Sequence, residues 1–335
     1  MKASTRAVIR KHGWRIDRAL HNYVYFTRYR PYVRLSRMMT RVVSTAPGWF
    51  RPSAMLFRAA FGRYHAKVLS SSEAVKIFTL REDVGLTGPG NRQIIPYAHA
   101  TGIIFREPDF IAVMDCPCRA ARGGGEACGP VSCCIAVGRD IAEFWLDHCG
   151  RYHPRRITQE EALDLIRDYR KRGHITQAFF KVATGGSTGV ICNCCPDCCV
   201  SLEASRRVRK FGGKLSQSAG SGYSVREAPD LCRNCGSCTD VCPFGAMIRR
   251  DGIRSYDRAA CMGCELCVEH CTSGALSLYR DPEKPLPLDM DWVRERMKEG
   301  GSDFRSGESG RMIQKTGRTT EGMEKGMHTL GERQS

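Results

Sequence analysis

No uncharged run of about 18 apolar residues occurs in the 335-residue sequence, so a membrane-spanning helix is not expected. The first twenty residues, MKASTRAVIRKHGWRIDRAL, place charges where a secretory leader needs an apolar centre. Acids are almost missing from the front: residues 1–70 hold fifteen Lys or Arg and one acid, Asp17, a net +14 of the whole chain's +17. No C-x-x-C-H haem-attachment signature is present. The glycine-rich ATGGSTGV at 183–190 lacks both the G-K-[ST] ending and the G-x-G-x-x-G order of phosphate-cradling loops. It reads as a turn that lets backbone approach the cysteines after it. An even cysteine total is missing too: 19 thiols cannot all pair internally, and many sit at C-x-x-C spacing or closer, which favours a reducing compartment. These absences lead us to expect a cytoplasmic protein, either free or peripheral at a membrane.

What is present is enough for a folded core. Hydrophobic residues make up 42% and charged residues 26%, ordinary for a globular chain, and the length allows two or more domains. Residues 1–75 read as a basic helical region. Leu35, Met38, Met39, Val42 and Val43 follow an i, i+3, i+4, i+7, i+8 stripe, with Arg34, Arg37 and Arg41 on the opposite face. Trp14, Tyr23, Tyr25, Phe26, Tyr29, Tyr32, Trp49 and Phe50 add aromatic mass. Such a helix packs its stripe on its own domain, lies against anionic lipid, or docks on an acidic partner. Nucleic acid is the least supported partner, because no nucleic-acid motif of recognisable spacing occurs.

Residues 76–224 read as a cysteine-rich α+β domain. It mixes short apolar runs such as 110–114 with a helix capped by Thr158 and Glu161 and closed by Lys171, Arg172 and Gly173. Residues 282–335, starting with the proline-rich PEKPLPL, read as a mostly disordered tail.

The strongest signal is a repeat with an offset of 29 residues. Cys232, Cys235, Cys238 and Cys242 in CRNCGSCTDVCPFGAM recur as Cys261, Cys264, Cys267 and Cys271 in CMGCELCVEHCTSGAL. Each copy has C-x2-C-x2-C-x3-C spacing, in which three thiolates wrap one cube of iron and sulfide and the fourth turns toward the other. One 4Fe-4S cluster is therefore expected on Cys232, Cys235, Cys238 and Cys271, and a second on Cys261, Cys264, Cys267 and Cys242. Tetrahedral zinc does not require this triple spacing.

On these motifs residues 225–281 resemble a bacterial two-cluster 4Fe-4S ferredoxin domain. The resemblance implies a compact fold of two short hairpins and two small helices about a pseudo-twofold axis. The chain departs from the pattern once: Pro243 follows Cys242, but Thr272 follows Cys271.

Eleven cysteines precede the repeat, mostly in MDCPCRAARGGGEACGPVSCC and ICNCCPDCCV. Adjacent cysteines rarely meet the 4.4–6.8 Å Cα separation of a disulfide, so metal ligation is the better explanation of their crowding. The candidate ligands of an additional centre, a further iron–sulfur cluster or zinc, are Cys116, Cys118, Cys128 and Cys134 with Cys192, Cys194, Cys195, Cys198 and Cys199; buried or redox-active thiols without metal are the alternative. His148 and His153 flank Cys149 and read as ordinary surface or core histidines. The C-P-C-R and C-N-C-C segments ahead of the repeat resemble larger bacterial 4Fe-4S dicluster-domain proteins without an assigned activity, which implies electron transfer and no particular substrate. Three functions fit: an electron carrier between a redox protein donor and acceptor, an iron–sulfur oxidoreductase with its substrate site on the upstream cysteines, or an adaptor whose basic front end recruits a redox complex to a membrane.

Overall fold

A computed structural model of the chain describes residues 2–14, 16–45, 64–88, 91–97, 100, 102–122, 128–181, 184, 186–210 and 216–299. Trp49, Phe50 and the tail from residue 300 lie outside them. Three helices come first: α1 (Ala3–His12), α2 (Ile16–Thr27) and α3 (Tyr29–Thr45). Next come β1 (Tyr64–Val68), α4 (Ser71–Phe78), β2 (Val84–Thr87), α5 (Asn91–Ile94), β3 (Gly102–Phe105), β4 (Ile111–Asp115) and α6 (Pro117–Ala121). The middle closes with β5 (Ser132–Val137), α7 (Arg139–His148), β6 (Arg155–Ile157), α8 (Gln159–Lys171), β7 (Ile175–Lys181), β8 (Val190–Cys194), α9 (Val200–Lys210) and β9 (Ser218–Ala219).

A seven-stranded sheet in the order β6-β4-β5-β8-β7-β1-β9 divides this region into two apolar layers. Strand side chains alternate between faces, so a strand buried on both sides feeds both layers. In β4, Ala112 and Met114 join the layer beneath the N-terminal helices while Ile111 and Val113 join the other. In β5 and β8, Cys134, Ala136, Val190, Cys192 and Cys194 face the first layer, and Ile135, Val137 and Ile191 the second. The second layer is filled from α4, α8 and the β2–β3 hairpin. The boundary expected at residue 75 falls inside α4, and β1 on its N-terminal side is an interior strand of the sheet.

Helix α8 forms where its sequence indicates, with one half of the expected cap in place: Glu161 pairs with Arg155 rather than with the Thr158 amide. The Thr158 hydroxyl accepts from the Glu161 amide at 3.1 Å, and Gly173 follows the last turn with φ +75°. Between β7 and β8, Thr184 and Ser187 of the glycine-rich run each donate a side-chain hydrogen bond to the other's carbonyl at 2.8 Å.

The stripe on α3 behaves unlike the first of its three expected fates. Tyr29, Val33, Arg37 and Thr40 form its buried face, while Leu35, Met38, Met39 and Val42 are exposed. The reason is a remote pair: Arg37 Nε donates to Glu203 Oε2 of α9 at 2.8 Å, which turns Arg37 inward while Arg34 and Arg41 stay exposed.

The repeat region contains β10 (Tyr223–Glu227), α10 (Ser237–Asp240), β11 (Met247–Arg250), β12 (Ile253–Tyr256), α11 (Leu266–Glu269) and β13 (Leu276–Arg280). Its two helices are small, as expected. Of its two strand pairs only β11–β12 is a hairpin; β10 pairs antiparallel with β13 and joins the ends of the region. The expected tail boundary at residue 282 also shifts. Leu288, Met290 and Val293, around the start of α12 (Met290–Lys298), are fully buried in the second layer, because this short helix supplies apolar cover that the sheet lacks there.

Candidate metal centres

The first tetrad lines an open cleft, which brings Cys271 together with Cys232, Cys235 and Cys238 beside Arg249 and Arg254. Cys235 is exposed. The Ser237 hydroxyl 3.4 Å away lowers its thiol pKa. The Asn234 amide points at Cys232 Sγ at 3.4 Å, and the Arg254 guanidinium lies 4.0 Å from Cys238 Sγ.

Three thiols of the second tetrad are buried and Cys242 is half-buried. Cys261, Cys264 and Cys267 are each 7–8% exposed, against the exposed Cys235 of the first. Burial pushes the Cys264 thiol up to about 12, and Cys242 and Cys261 lie near enough to add to the shift. Cys267 is raised by burial and then by Cys264, Cys242 and Cys261. The amides of Ala246 and Met247 aim at Cys242 Sγ at 3.3 and 3.5 Å, and that of Gly263 at Cys261 Sγ at 3.4 Å. Gly263 has φ +64°, and a Cβ there would collide with Ser221 Oγ and the Tyr223 carbonyl. Two all-thiol sets with peptide amides directed at the sulfurs fit iron–sulfur clusters, whose ligation is thiolate and whose potentials respond to such hydrogen bonds.

The second tetrad also faces the upstream domain. Cys264 and Leu266 share the first apolar layer with Cys118, Cys134, Cys192, Cys194 and Cys199. Arg170 of α8, itself 2% exposed, donates to the Cys264 carbonyl and the Glu269 carboxylate, both at 2.8 Å. Lys284 donates to the Cys261 carbonyl at 2.6 Å.

The structure draws the two upstream groups together and sorts them into two clusters. In the larger, Cys134 and Cys192 are direct cross-strand partners of β5 and β8 with their sulfurs 3.4 Å apart. Period-two alternation in VICNC puts Cys194 on the same face as Cys192. Cys116 caps the start of α6 and Cys118 lies within it, while Cys199 precedes α9. Hydrogen bonds from Cys118, Cys133 and Cys134 hold the Cys116 thiol well below its ordinary pKa. Those from Cys134 and Cys194 do the same for Cys192, and Cys194 lowers Cys199. The donors Cys118, Cys133, Cys134 and Cys194 are raised in turn. Cys133 is a member that sequence reasoning missed: it adjoins Cys134 in β5, where strand alternation gives no signal that both reach Cys116.

In the smaller cluster the sulfurs of Cys128, Cys195 and Cys198 all lie within 4.8 Å of one another. Cys128 and Cys198 are in disulfide contact across 70 residues of sequence, a pairing between the two groups that the argument against adjacent-cysteine bridges does not address. Cys149 stands apart, its thiol pushed up to about 12 by burial. His148 faces the hydroxyls of Ser4 and Thr5, and His153 the Asp115 carboxylate.

Two buried cations attend the larger cluster. Arg119, 1% exposed, lies near Cys133 and Cys116, hydrogen-bonds His174 at 3.2 Å and stacks 5.2 Å over the Tyr169 ring. Lys181 donates to Tyr29 Oη at 2.8 Å and favours the Cys192 thiolate. Burial, followed by the thiols of Cys118, Cys134, Cys192 and Cys116, raises the Tyr29 phenol well above its usual value. An all-cysteine donor set with positive charge beside it fits a thiolate-ligated metal centre.

Comparison with known proteins agrees with the repeat. Residues 224–272 match the 4Fe-4S dicluster domain. An uncharacterized ferredoxin of Methanocaldococcus jannaschii is 30% identical over 119 residues, 33% of this chain and 70% of the relative. Hydrogenase-4 component A of Escherichia coli is 33% identical over 87 residues, 25% of this chain and 42% of that protein. Formate hydrogenlyase subunit 2 of the same organism is 39% identical over 66 residues, 19% of this chain and 32% of that protein. The chain thus spans less than half the length of the two E. coli relatives. From the duplicated cysteine spacing, the paired tetrads and the match to the archaeal ferredoxin, the chain belongs to the ferredoxins with a 4Fe-4S dicluster domain.

Proposed function

We propose that this protein is an electron carrier between redox proteins. It holds one 4Fe-4S cluster on Cys232, Cys235, Cys238 and Cys271, another on Cys261, Cys264, Cys267 and Cys242, and a third centre, iron–sulfur or zinc, on the upstream cysteines. When bound, the two clusters supply one-electron storage at potentials set by net charge, sulfur hydrogen bonds and exposure. The observation that carries the reading is the unequal burial of the two tetrads. Cys235 is exposed, so the first tetrad is the side a redox partner reaches. Cys264 shares an apolar layer with Cys134, Cys192 and Cys199, so the second faces the interior thiols. Cys116, Cys118, Cys133, Cys134, Cys192, Cys194 and Cys199 are the set favoured for the third centre, with Arg119 and Lys181 offsetting its charge.

The depth of those thiols favours electron transfer over substrate chemistry: Cys134, Cys192, Cys194 and Cys199 are only 3–7% exposed. The similarity to subunits named for hydrogenase and formate hydrogenlyase supports redox proteins as partners. Residues 1–70 then serve attachment, to an acidic partner or a membrane surface, in the reducing interior of a cell. Iron and acid-labile sulfide analysis of anaerobically purified protein, with electron paramagnetic resonance of the reduced state, tests the proposal. About eight irons with two reducible signals support the two ferredoxin-type clusters, and about twelve extend the assignment upstream. Iron-free protein overturns it.

A further inference from the structure

Thirteen large hydrophobic side chains are exposed among the described residues, and ten of them lie in residues 9–42. Trp14, in the turn after α1, is 90% exposed, Ile16 and Leu20 of α2 72% and 60%, and Leu35, Met38 and Val42 of α3 54–58%. An apolar stripe on a helix of a water-bathed monomer normally faces the core. Here α3 buries its Arg37 side against Glu203 and leaves the stripe outside, so the fold itself holds the apolar face outward. The charge around that face has one sign. Residues 1–45 contain eleven Lys or Arg against the single acid Asp17, and Arg28, Arg30, Arg34 and Arg41 are exposed on or next to α3.

We propose that α2, α3 and the Trp14 turn form a docking face for an anionic lipid bilayer, on which the protein lies without crossing it. The proposal deepens the attachment role given above to residues 1–70 and selects lipid from the two surfaces named there. Helix α3 has 17 residues, a length of about 25 Å at 1.5 Å per residue, shorter than the roughly 30 Å hydrocarbon core. No helix among the described residues is long and apolar enough to span. A helix with an apolar stripe, a basic flank and an exposed tryptophan beside it has the composition that settles at the headgroup boundary. Lipid also suits an apolar surface spread over two helices and a turn, because it needs no shape match, whereas an acidic protein would need one. Tyr25, Phe26, Tyr29 and Val33 bury the opposite faces in the first apolar layer, so docking leaves the core closed.

The test is sedimentation of the full-length, cluster-loaded protein with vesicles of phosphatidylcholine alone or mixed with phosphatidylglycerol, at low and high salt. Three exposed positions are changed together, Leu35→Ser, Met38→Ser and Val42→Ser, and a second variant carries Arg30→Gln and Arg34→Gln. We expect binding to the phosphatidylglycerol vesicles that weakens with salt, and a loss of about tenfold or more in the triple variant. The arginine variant should lose most of the phosphatidylglycerol preference. Wild-type protein that fails to bind anionic vesicles, or a triple variant that binds as wild type, overturns the proposal. Light scattering supplies the rival outcome: self-association that the triple variant abolishes, without vesicle binding, assigns the face to a second copy of the chain and also overturns it. Unchanged iron–sulfur absorbance in both variants certifies their folding and separates a failure of docking from a failure of the redox reading.

Discussion

Replacing Glu203 with alanine should release α3 from the body of the protein. Glu203 sits on α9 with its side chain 11% exposed and accepts a hydrogen bond from Arg37 Nε at 2.8 Å, with Arg37 Nη2 also 2.8 Å away and Arg207, Arg41 and Arg122 in ion-pair range at 3.3, 3.6 and 3.9 Å. Burial works against its ionisation, yet the Arg37 hydrogen bond and the charges around it hold the carboxyl below its usual pKa. Arg37 is 8% exposed, so Glu203→Ala strands a buried guanidinium at a cost of about 3–5 kcal/mol. The other three arginines are a third or more exposed and add little. Arg37→Met is the milder change: it removes the buried cation and leaves Glu203 with Arg207, Arg41 and Arg122, for about 1 kcal/mol. Native-state hydrogen exchange over residues 29–45 reads the difference. The alanine variant should speed exchange by about two to three and a half orders of magnitude and the methionine variant by less than one, at 1.4 kcal/mol per tenfold. Equal and small effects in the two variants would show that the apolar contacts of Tyr29 and Val33 alone hold the helix, and that its outward stripe is not enforced by this pair.

Gly263→Ala should cost the second tetrad its iron. A left-handed φ costs a Cβ-bearing residue about 1–2 kcal/mol, and the new methyl meets backbone at Tyr223, whereas Asn234→Gly at the matching position of the first tetrad should leave iron content unchanged. A ferrous chelator added to oxidised protein should remove iron in two phases, the faster belonging to the tetrad containing Cys235; a single phase would contradict the unequal exposure of the tetrads. Asp281→Asn should destabilise the repeat region by about 1–2 kcal/mol at neutral pH, a modest figure because Arg258, its main partner, is 43% exposed to solvent. Arg258 first, and then the Ser224 hydroxyl at 2.6 Å, hold the Asp281 carboxyl far below its ordinary pKa. Its contribution is therefore present above the unfolded value of about 3.9 and is lost as pH falls through the folded one. Denaturant unfolding at descending pH should show that acid-dependent loss in wild type and a flatter profile in the asparagine variant.

Local chemistry is what the sequence makes legible. The C-x2-C-x2-C-x3-C spacing marks both tetrads because a cluster loop is a short-range object, and the Thr158 cap marks α8 for the same reason. Alternation in VICNC likewise shows that Cys192 and Cys194 share a face. The parts that stayed hidden depend on distant partners. The stripe on α3 is visible in sequence, but its direction is decided by Arg37 and Glu203, 166 positions apart. The membership of Cys133 in the upstream cluster depends on where α6 sets Cys116. Residues 282–299 look too polar for a core, yet three buried side chains suffice to seat α12 under the sheet.

The two cysteine repeats carry nearly the same backbone instruction and end in different environments. Positions separated by the 29-residue offset share left-handed conformations: Asn234 and Gly263 at φ +50° and +64°, Gly236 and Glu265 at +88° and +71°, Gly245 and Gly274 at +65° and +67°. The loops are therefore built alike, and what distinguishes them comes from outside the motif. Glu265 accepts a hydrogen bond from the Ser71 amide at 2.7 Å, and Arg170 seizes Glu269 and the Cys264 carbonyl; these contacts press the second loop into the upstream domain. The equivalent face of the first loop, with Leu231 and Ile253 beside it, is left in solvent. Exposure alone shifts the potential of an iron–sulfur centre, so duplication followed by one-sided docking is sufficient to make two unlike sites from one sequence pattern. On that argument the difference between the tetrads should follow the Arg170 clamp: Arg170→Met, which keeps the stem and removes the guanidinium, should narrow the gap between the two midpoint potentials in a redox titration while leaving the iron content unchanged.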